Sequence, residues 1–298
     1  MSQFAGYVLP GAAFVAFGLK WTLDASTSNL EKLLSGEKTS TLGKRHNRNK
    51  KCGCCSSDGL PVEGIIKLLV TAIGILASVV AAYPSGFGQL QHVGDILYAT
   101  VYLFFAISGL VDVLTFYCPY AIPYGLNHFS LALAFTIEGL MFCLHLQRQA
   151  FMEQHVHVLL VCAIFACAVV SLIEIVLPYS LLMKFARAFS SLIHGSWYIQ
   201  SGFILYDPNR VTPTQWNSSQ DYNNALIWIS LTFAWHAAGA FICLLVIILI
   251  SRRKNPTSAV PCQPEHIEAF EDYQSSPALQ SSSHMQHCNF CSSHTLSA

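Results

Sequence analysis

Leu68–Ala82 reads LLVTAIGILASVVAA and Phe241–Ile250 reads FICLLVIILI. Neither run carries a charge, and neither alternates apolar with polar residues as a half-buried strand does. Both are too long and too continuous for strands, and a bilayer accepts only helices or closed barrels. A helix needs about 20 mostly apolar residues to cross a hydrocarbon layer roughly 30 Å thick. Working outward from these two runs, seven stretches meet that requirement: Gly6–Leu23, Gly64–Tyr83, Asp95–Phe116, Pro123–Leu144, Val156–Tyr179, Leu181–Tyr206 and Ala225–Ser251. The expected fold class is therefore all-α, a polytopic bundle of seven transmembrane helices. The sixth stretch is the most polar, with Lys184 and Arg187 in its first turns, so an interfacial start and a total of six or eight crossings stay open.

Composition supports this reading. Of 298 residues, 53% are hydrophobic and 11% are charged. An ordinary soluble domain carries about 25% charged residues, and a disordered chain combines low hydrophobicity with many charges. Both classes are excluded. Sixteen Lys and Arg balance sixteen Asp and Glu, leaving no electrostatic footprint for nucleic acid. The expected partner is the lipid bilayer, and the expected location a membrane of the secretory pathway or the cell surface.

Orientation follows from the basic residues. The first connection carries Lys32, Lys38, Lys44, Arg45, Arg48, Lys50 and Lys51, and the last stretch is followed by Arg252, Arg253 and Lys254. The loops after the second, fourth and sixth stretches hold only Arg148 and Arg210 between them. With seven crossings, the N-terminus is expected to be lumenal or extracellular and the C-terminus cytoplasmic. The first apolar stretch has no basic residue before it and no small-residue cleavage site after it, so it reads as a retained span rather than a signal peptide. Lys20, Lys67, Lys184 and Arg187 then fall near cytoplasmic ends, where long stems snorkel to water. Asn217-Ser218-Ser219 is a glycosylation sequon on the opposite side.

The transmembrane domain is expected to occupy residues 1–254, including a basic cytoplasmic loop at 24–63, with a disordered tail at 255–298. Cys118, Cys143, Cys162, Cys167 and Cys243 lie in or at the ends of spans, where free Cys packs as a small apolar residue. Cys52, Cys54 and Cys55 follow the basic run and are candidates for S-acylation on a loop drawn to anionic lipid. His287, Cys288, Cys291 and His294 form a His/Cys-rich tract, whose short spacing and lack of apolar neighbours favour an unstructured tail over a zinc module.

Ionisable residues at membrane depth are costly and therefore informative. Glu138 and His145 are seven residues apart, about two helical turns, and so face the same way. His157 lies in the fifth stretch. Trp197, His194, Gln200 and Ser201 lie in the sixth, and Trp235-His236 in the seventh. His145, His157, His236 and Glu138 together suit zinc, with Glu138 as the base if the chain is an enzyme. The same groups suit a proton or cation relay. Alternatively, with His194, Gln200, Ser201, Trp197 and Trp235, they line the polar interior and fix helix packing by bonding to one another. Gly195-Ser196 with Gly202, and the run Ala237 to Ala240, read as helix contact surfaces.

These residues, in this order, resemble a known family. The pattern runs Phe4-x-Gly6-x-x-Leu9-Pro10-Gly11 with Gly18 and Trp21, then Gly109-Leu110-x-Asp112, then Glu138 and His145, then His157-x-Leu159-Leu160 and Glu174. It continues through Gly195-Ser196-Trp197-x-x-Gln200-x-Gly202-Phe203-x-Leu205-Tyr206 to Trp235-His236. The chain resembles the transmembrane protein 45 family, and more closely its transmembrane epididymal protein branch, over roughly the first 250 residues. The resemblance implies a seven-helix integral membrane protein and no defined enzyme activity. It also marks two departures: Leu97 and Tyr98 stand where the family carries a His pair, and His194 where it carries Gln. The reading that follows is a non-enzymatic role in assembly or trafficking. The alternatives are a metal-dependent intramembrane hydrolase of lipid amides or esters and a proton or cation transporter. A G-protein-coupled receptor is disfavoured, because the third stretch ends Leu110-Val111-Asp112-Val113-Leu114 without Asp-Arg-Tyr and the seventh lacks Asn-Pro-x-x-Tyr.

Overall fold

The computed structural model describes residues 3–34, 60–83, 93–146, 151–206 and 219–253. They form seven helices and no strand: α1 (Gln3–Leu34), α2 (Val62–Ala82), α3 (Val93–Tyr117), α4 (Leu126–Leu146), α5 (Phe151–Val176), α6 (Leu181–Tyr206) and α7 (Ser219–Arg253). Each expected stretch coincides with one helix. The first helix continues to Leu34, well past the apolar boundary at Leu23. The fourth starts only at Leu126, after a turn in which Gly125 adopts φ +80°, a conformation that favours glycine.

Six of the seven helices are long and apolar enough to cross a membrane; α6 is not. The reason is its position. Helix α6 packs against α1, α5 and α7, and Ser190, Ser191, His194 and Ser201 on it are buried inside the protein. Its polar residues are hidden by neighbours rather than facing outward, which lowers its hydropathy without exposing polarity. The other helices turn apolar side chains outward. Ile66, Leu69, Ile73, Leu76 and Val80 of α2 are exposed, as are Ile227, Phe241, Ile242 and Leu249 of α7. An exposed apolar surface of this extent is what a lipid solvent requires and water penalises.

Consecutive helices from α2 to α6 pack on one another, and α1 closes the arrangement against α6 and α7. The α1–α6 contact depends on small residues. A Cβ on Gly195 would stand 2.6 Å from the Gly11 carbonyl oxygen, and one on Gly11 would stand 2.7 Å from Ile199 Cγ1. One turn below, Ser191 Oγ donates to the Phe14 carbonyl at 3.0 Å across the same interface. Gly202 lies equally close to Tyr7, so the Gly195 and Gly202 contact surface read from sequence is present. The run at Ala237–Ala240 is divided: a Cβ on Gly239 would meet nothing within 4 Å, whereas Ala240 is buried. Gly64 and Gly109 make a second backbone approach, between α2 and α3.

Gly195→Leu is expected to destabilise the folded protein by about 1–3 kcal/mol or more through overpacking. Gly239→Leu should stay within about 0.5 kcal/mol of wild type. Thermal denaturation of both purified variants in one detergent tests this, and equal melting temperatures would contradict the α1–α6 contact.

Candidate functional site

Polar side chains gather at three levels of the bundle. The first is the end where α1, α3 and α5 finish and α2, α4 and α6 begin. Lys67 Nζ is 2.6 Å from Asp112 Oδ2 and 3.6 Å from Glu63 Oε1, joining α2 to α3. Lys20 bridges Asp24 at 2.6 Å and Glu63 at 3.0 Å, joining α1 to α2. The indole of Trp21 donates to Glu63 Oε1 at 3.0 Å, and the Arg187 guanidinium sits 4.5 Å above the Trp21 ring. Arg187 in turn lies 3.2 Å from Glu174 Oε2, which has His128 Nδ1 at 3.6 Å. The network touches every helix from α1 to α6. Lys67 was expected to snorkel outward, but it is buried, because Asp112 and Glu63 neutralise it within the bundle.

The second level is at the opposite end. His157 Nδ1 faces the Glu153 carbonyl at 2.6 Å, and a carbonyl can only accept, so Nδ1 carries the proton. In the neutral ring, Nε2 is then an acceptor, and the Tyr7 hydroxyl donates to it at 2.7 Å. Tyr98 and Tyr206 lie beside Tyr7, the Tyr206 ring 5.4 Å from it between centroids. Hydroxyls from α1, α3 and α6 and an imidazole from α5 thus form one cluster. The indole of the fully buried Trp197 donates to the Val156 carbonyl at 3.1 Å, tying α6 to α5. Ser201 is buried too, and its hydroxyl returns to the Trp197 carbonyl of its own helix at 2.8 Å.

Between these levels lie Glu138 and His194, both almost completely buried, with Oε1 and Nε2 3.5 Å apart. The separation joins α4 to α6 without hydrogen-bond geometry. Glu138 Oε2 and both nitrogens of His194 lack hydrogen-bond partners. The His194 ring is packed against Phe14, with centroids 4.3 Å apart, and against Phe135 at 5.8 Å. A buried polar atom without a partner costs roughly 1–3 kcal/mol, so this pair is the least satisfied part of the interior.

Glu138 also lines a cavity of about 690 Å³, counting its open mouth, between α1, α2, α3 and α4. Its walls are mainly Phe14, Phe17, Trp21, Val101, Phe105 and Phe135. Tyr98, Tyr102 and Tyr198 lie beside Glu138, and Lys67 is at the charged end.

The remaining candidates are distributed as follows. His236 is half-buried, its ring 5.8 Å from that of Trp197, and Gln200 is half-buried on α6. Trp235 is 58% exposed and stacks edge-on with Trp228 at 6.3 Å, so it does not belong to the polar interior. A helix turns about 100° per residue, and with His236 facing Trp197 its neighbour must turn outward. His145 lies on α4, but its side chain is outside the described residues, as are Cys52, Cys54, Cys55, Asn217 and the tail from 254 onward. Among the described residues no group of three or more His, Cys, Asp or Glu is placed to hold a metal ion. The tyrosine cluster and the charge network were missed in the sequence reading. Asp112 and Lys67 did offer a signal, as opposite charges near the same end of consecutive spans.

Residues 124–249, covering α4 to α7 and so Glu138, His157, His194 and His236, match the model of a family of unknown function, DUF716. The chain is 28% identical to human (Homo sapiens) transmembrane epididymal protein 1 over 140 residues, 46% of this chain and 49% of that protein. It is 29% identical to transmembrane epididymal protein 1A of Mus musculus over 107 residues, 36% of this chain and 34% of the relative. It is 26% identical to the Rattus norvegicus protein 1 over 152 residues, 51% and 48% of the two chains. The family resemblance read in the sequence is borne out. This is a multi-pass helical membrane protein, and the matched stretch spans about half or less of the curated relatives' length.

Lys67→Ala leaves the half-buried Asp112 carboxylate without its partner and should cost about 2–3 kcal/mol. Lys20→Ala removes a largely solvated pair and should cost under about 1 kcal/mol. Chemical or thermal unfolding of the two variants tests the order, which would be reversed if Lys67 were a free snorkelling residue.

Proposed function

We propose that this chain crosses the bilayer seven times, with its N-terminus lumenal or extracellular and its C-terminus cytoplasmic. In secretory-pathway or surface membranes it serves as a non-catalytic component in assembly or trafficking. The observation that carries the non-catalytic reading is the accounting at His157. Both ring nitrogens are used, one by Glu153 and one by Tyr7, so the most buried of the proposed zinc ligands acts as a strut between α1 and α5. Trp197, tied to the Val156 carbonyl, supports the same reading. The seventh crossing is supported by α6 itself, a helix of 26 residues held among α1, α5 and α7 with its polar face inward. Orientation is supported by the excess of Lys and Arg in 24–63 and at 252–254.

His157→Ala tests the role of the polar interior. It removes a buried imidazole and leaves the Tyr7 hydroxyl unsatisfied, so a fall in stability of about 2–4 kcal/mol is expected. A folded protein with unchanged melting temperature would argue for a functional rather than a packing histidine. Stoichiometric zinc in the purified wild-type protein would overturn the non-catalytic reading directly. Epitope tags at the two ends test topology: in intact cells only the N-terminal tag should be reachable, and the reverse result would invert the orientation.

A further inference from the structure

Helices α1 and α2 are consecutive, yet among the described residues their backbones nowhere pack together. Side chains alone join them, at the charged end, through Lys20, Trp21 and Glu63. Beyond that bridge, Pro10 to Trp21 of α1 and Lys67, Val70 and Thr71 of α2 line the cavity that has Glu138 in its wall. Val70 of α2 lines the cavity and is 37% exposed, so the opening reaches the outer, lipid-facing surface of the bundle. The lining from Pro10 to Trp21 of α1 spans twelve residues, about 16 Å along the helix axis. Phe14, Phe17 and Phe105 flank the space with flat rings. At its inner wall Glu138 Oε2, 2% exposed as a residue, has no hydrogen-bond partner.

We propose that this cleft is a lateral binding site for a bilayer lipid alcohol of the sterol class, its rigid body lying between α1 and α2 and its hydroxyl donating to Glu138. The carboxyl oxygen selects for a donor. Lys67, the cation in the cavity wall, already faces Asp112 and Glu63, so an anionic head group would have to compete with two carboxylates for it. A cationic head would carry a charge deep into the bundle, with the desolvation cost that buried ions bear. A hydroxyl satisfies the orphan acceptor without either penalty. A lining of aromatic rings suits a rigid polycyclic body, which loses little conformational freedom on binding, better than a flexible acyl chain.

The test uses the full chain reconstituted in phosphatidylcholine nanodiscs with a photoreactive, clickable cholesterol analogue. Labelling is expected on peptides from α1, α2 or α4, with suppression of at least ~5-fold by excess unlabelled cholesterol. Val70→Trp and Ala13→Leu, which fill the mouth and the wall, should each reduce labelling about tenfold while keeping the wild-type melting temperature. Glu138→Gln retains an acceptor and should label more than Glu138→Leu. The proposal is overturned if cholesterol does not compete, or if well-folded Val70→Trp and Ala13→Leu label like wild type. It is also overturned if photoreactive diacylglycerol or fatty-acid probes label the same peptides as strongly as the sterol, which would make the cleft a non-selective lipid contact.

Discussion

The backbone approach of α1 to α6 at Gly11 and Gly195 sets the geometry of everything else in the bundle. In lipid there is no hydrophobic gain from bringing two apolar helices together, so association depends on close packing and on the polar groups that packing hides. A Cβ at either glycine would stand 2.6 to 2.7 Å from atoms of the facing helix, so the two helices would have to move apart. With them in place, Phe14 reaches the His194 ring, Ser191 reaches the Phe14 carbonyl, and Tyr7 reaches Tyr206 and His157. The first and sixth helices, far apart in sequence, become one unit. The most polar helix of the seven can then sit inside a greasy protein, because α1 covers one of its flanks while α5 and α7 take the others.

That unit also explains why ionic and neutral polarity are segregated. The ion pairs lie at one end, where helix termini meet and where partial exposure of Lys20 and Asp24 lowers the cost of charge. Deeper in, hydroxyl, indole and imidazole groups bond to one another or to backbone carbonyls, with Trp197 and His157 as the principal links. Glu138 breaks the pattern. It is an ionisable group in the uncharged zone, held near a histidine that it does not properly bond, at the wall of the large aromatic cavity. A membrane protein rarely retains such a cost without use.

The helices were legible because hydropathy reports directly on contact with lipid, and six of them face it along most of their length. Helix α6 was the weakest of the expected stretches for the same reason that makes it central: its outward surface is small, so Lys184, Arg187 and His194 dominate its composition. Gly195 and Gly202 were readable as contact residues because spacing of seven puts them on one face. In the equally small run at Ala237–Ala240, Gly239 carried the same signal with no neighbour to meet, while Ala240 is buried. Composition says that a face is smooth, and only the fold says whether a neighbour lies against it. Trp235 and His236 make a related point. Adjacent residues on a helix diverge by about 100°, so a pair read together in sequence was divided between the outside and the inside.

The tyrosines were not legible at all, and the reason is physical. A tyrosine in a span fits an interfacial belt, an aromatic core or a hydrogen-bonded cluster equally well, and its hydropathy does not distinguish them. Tyr98 lies beside Tyr7, whose hydroxyl in turn satisfies His157. That placement brings the third helix close to the histidine of the fifth. A phenol gives one donor and accepts from others, and unlike an imidazole pair it makes a poor zinc site. The position is filled by a group suited to fastening helices, while the unsatisfied chemistry lies at Glu138 and the cavity beside it.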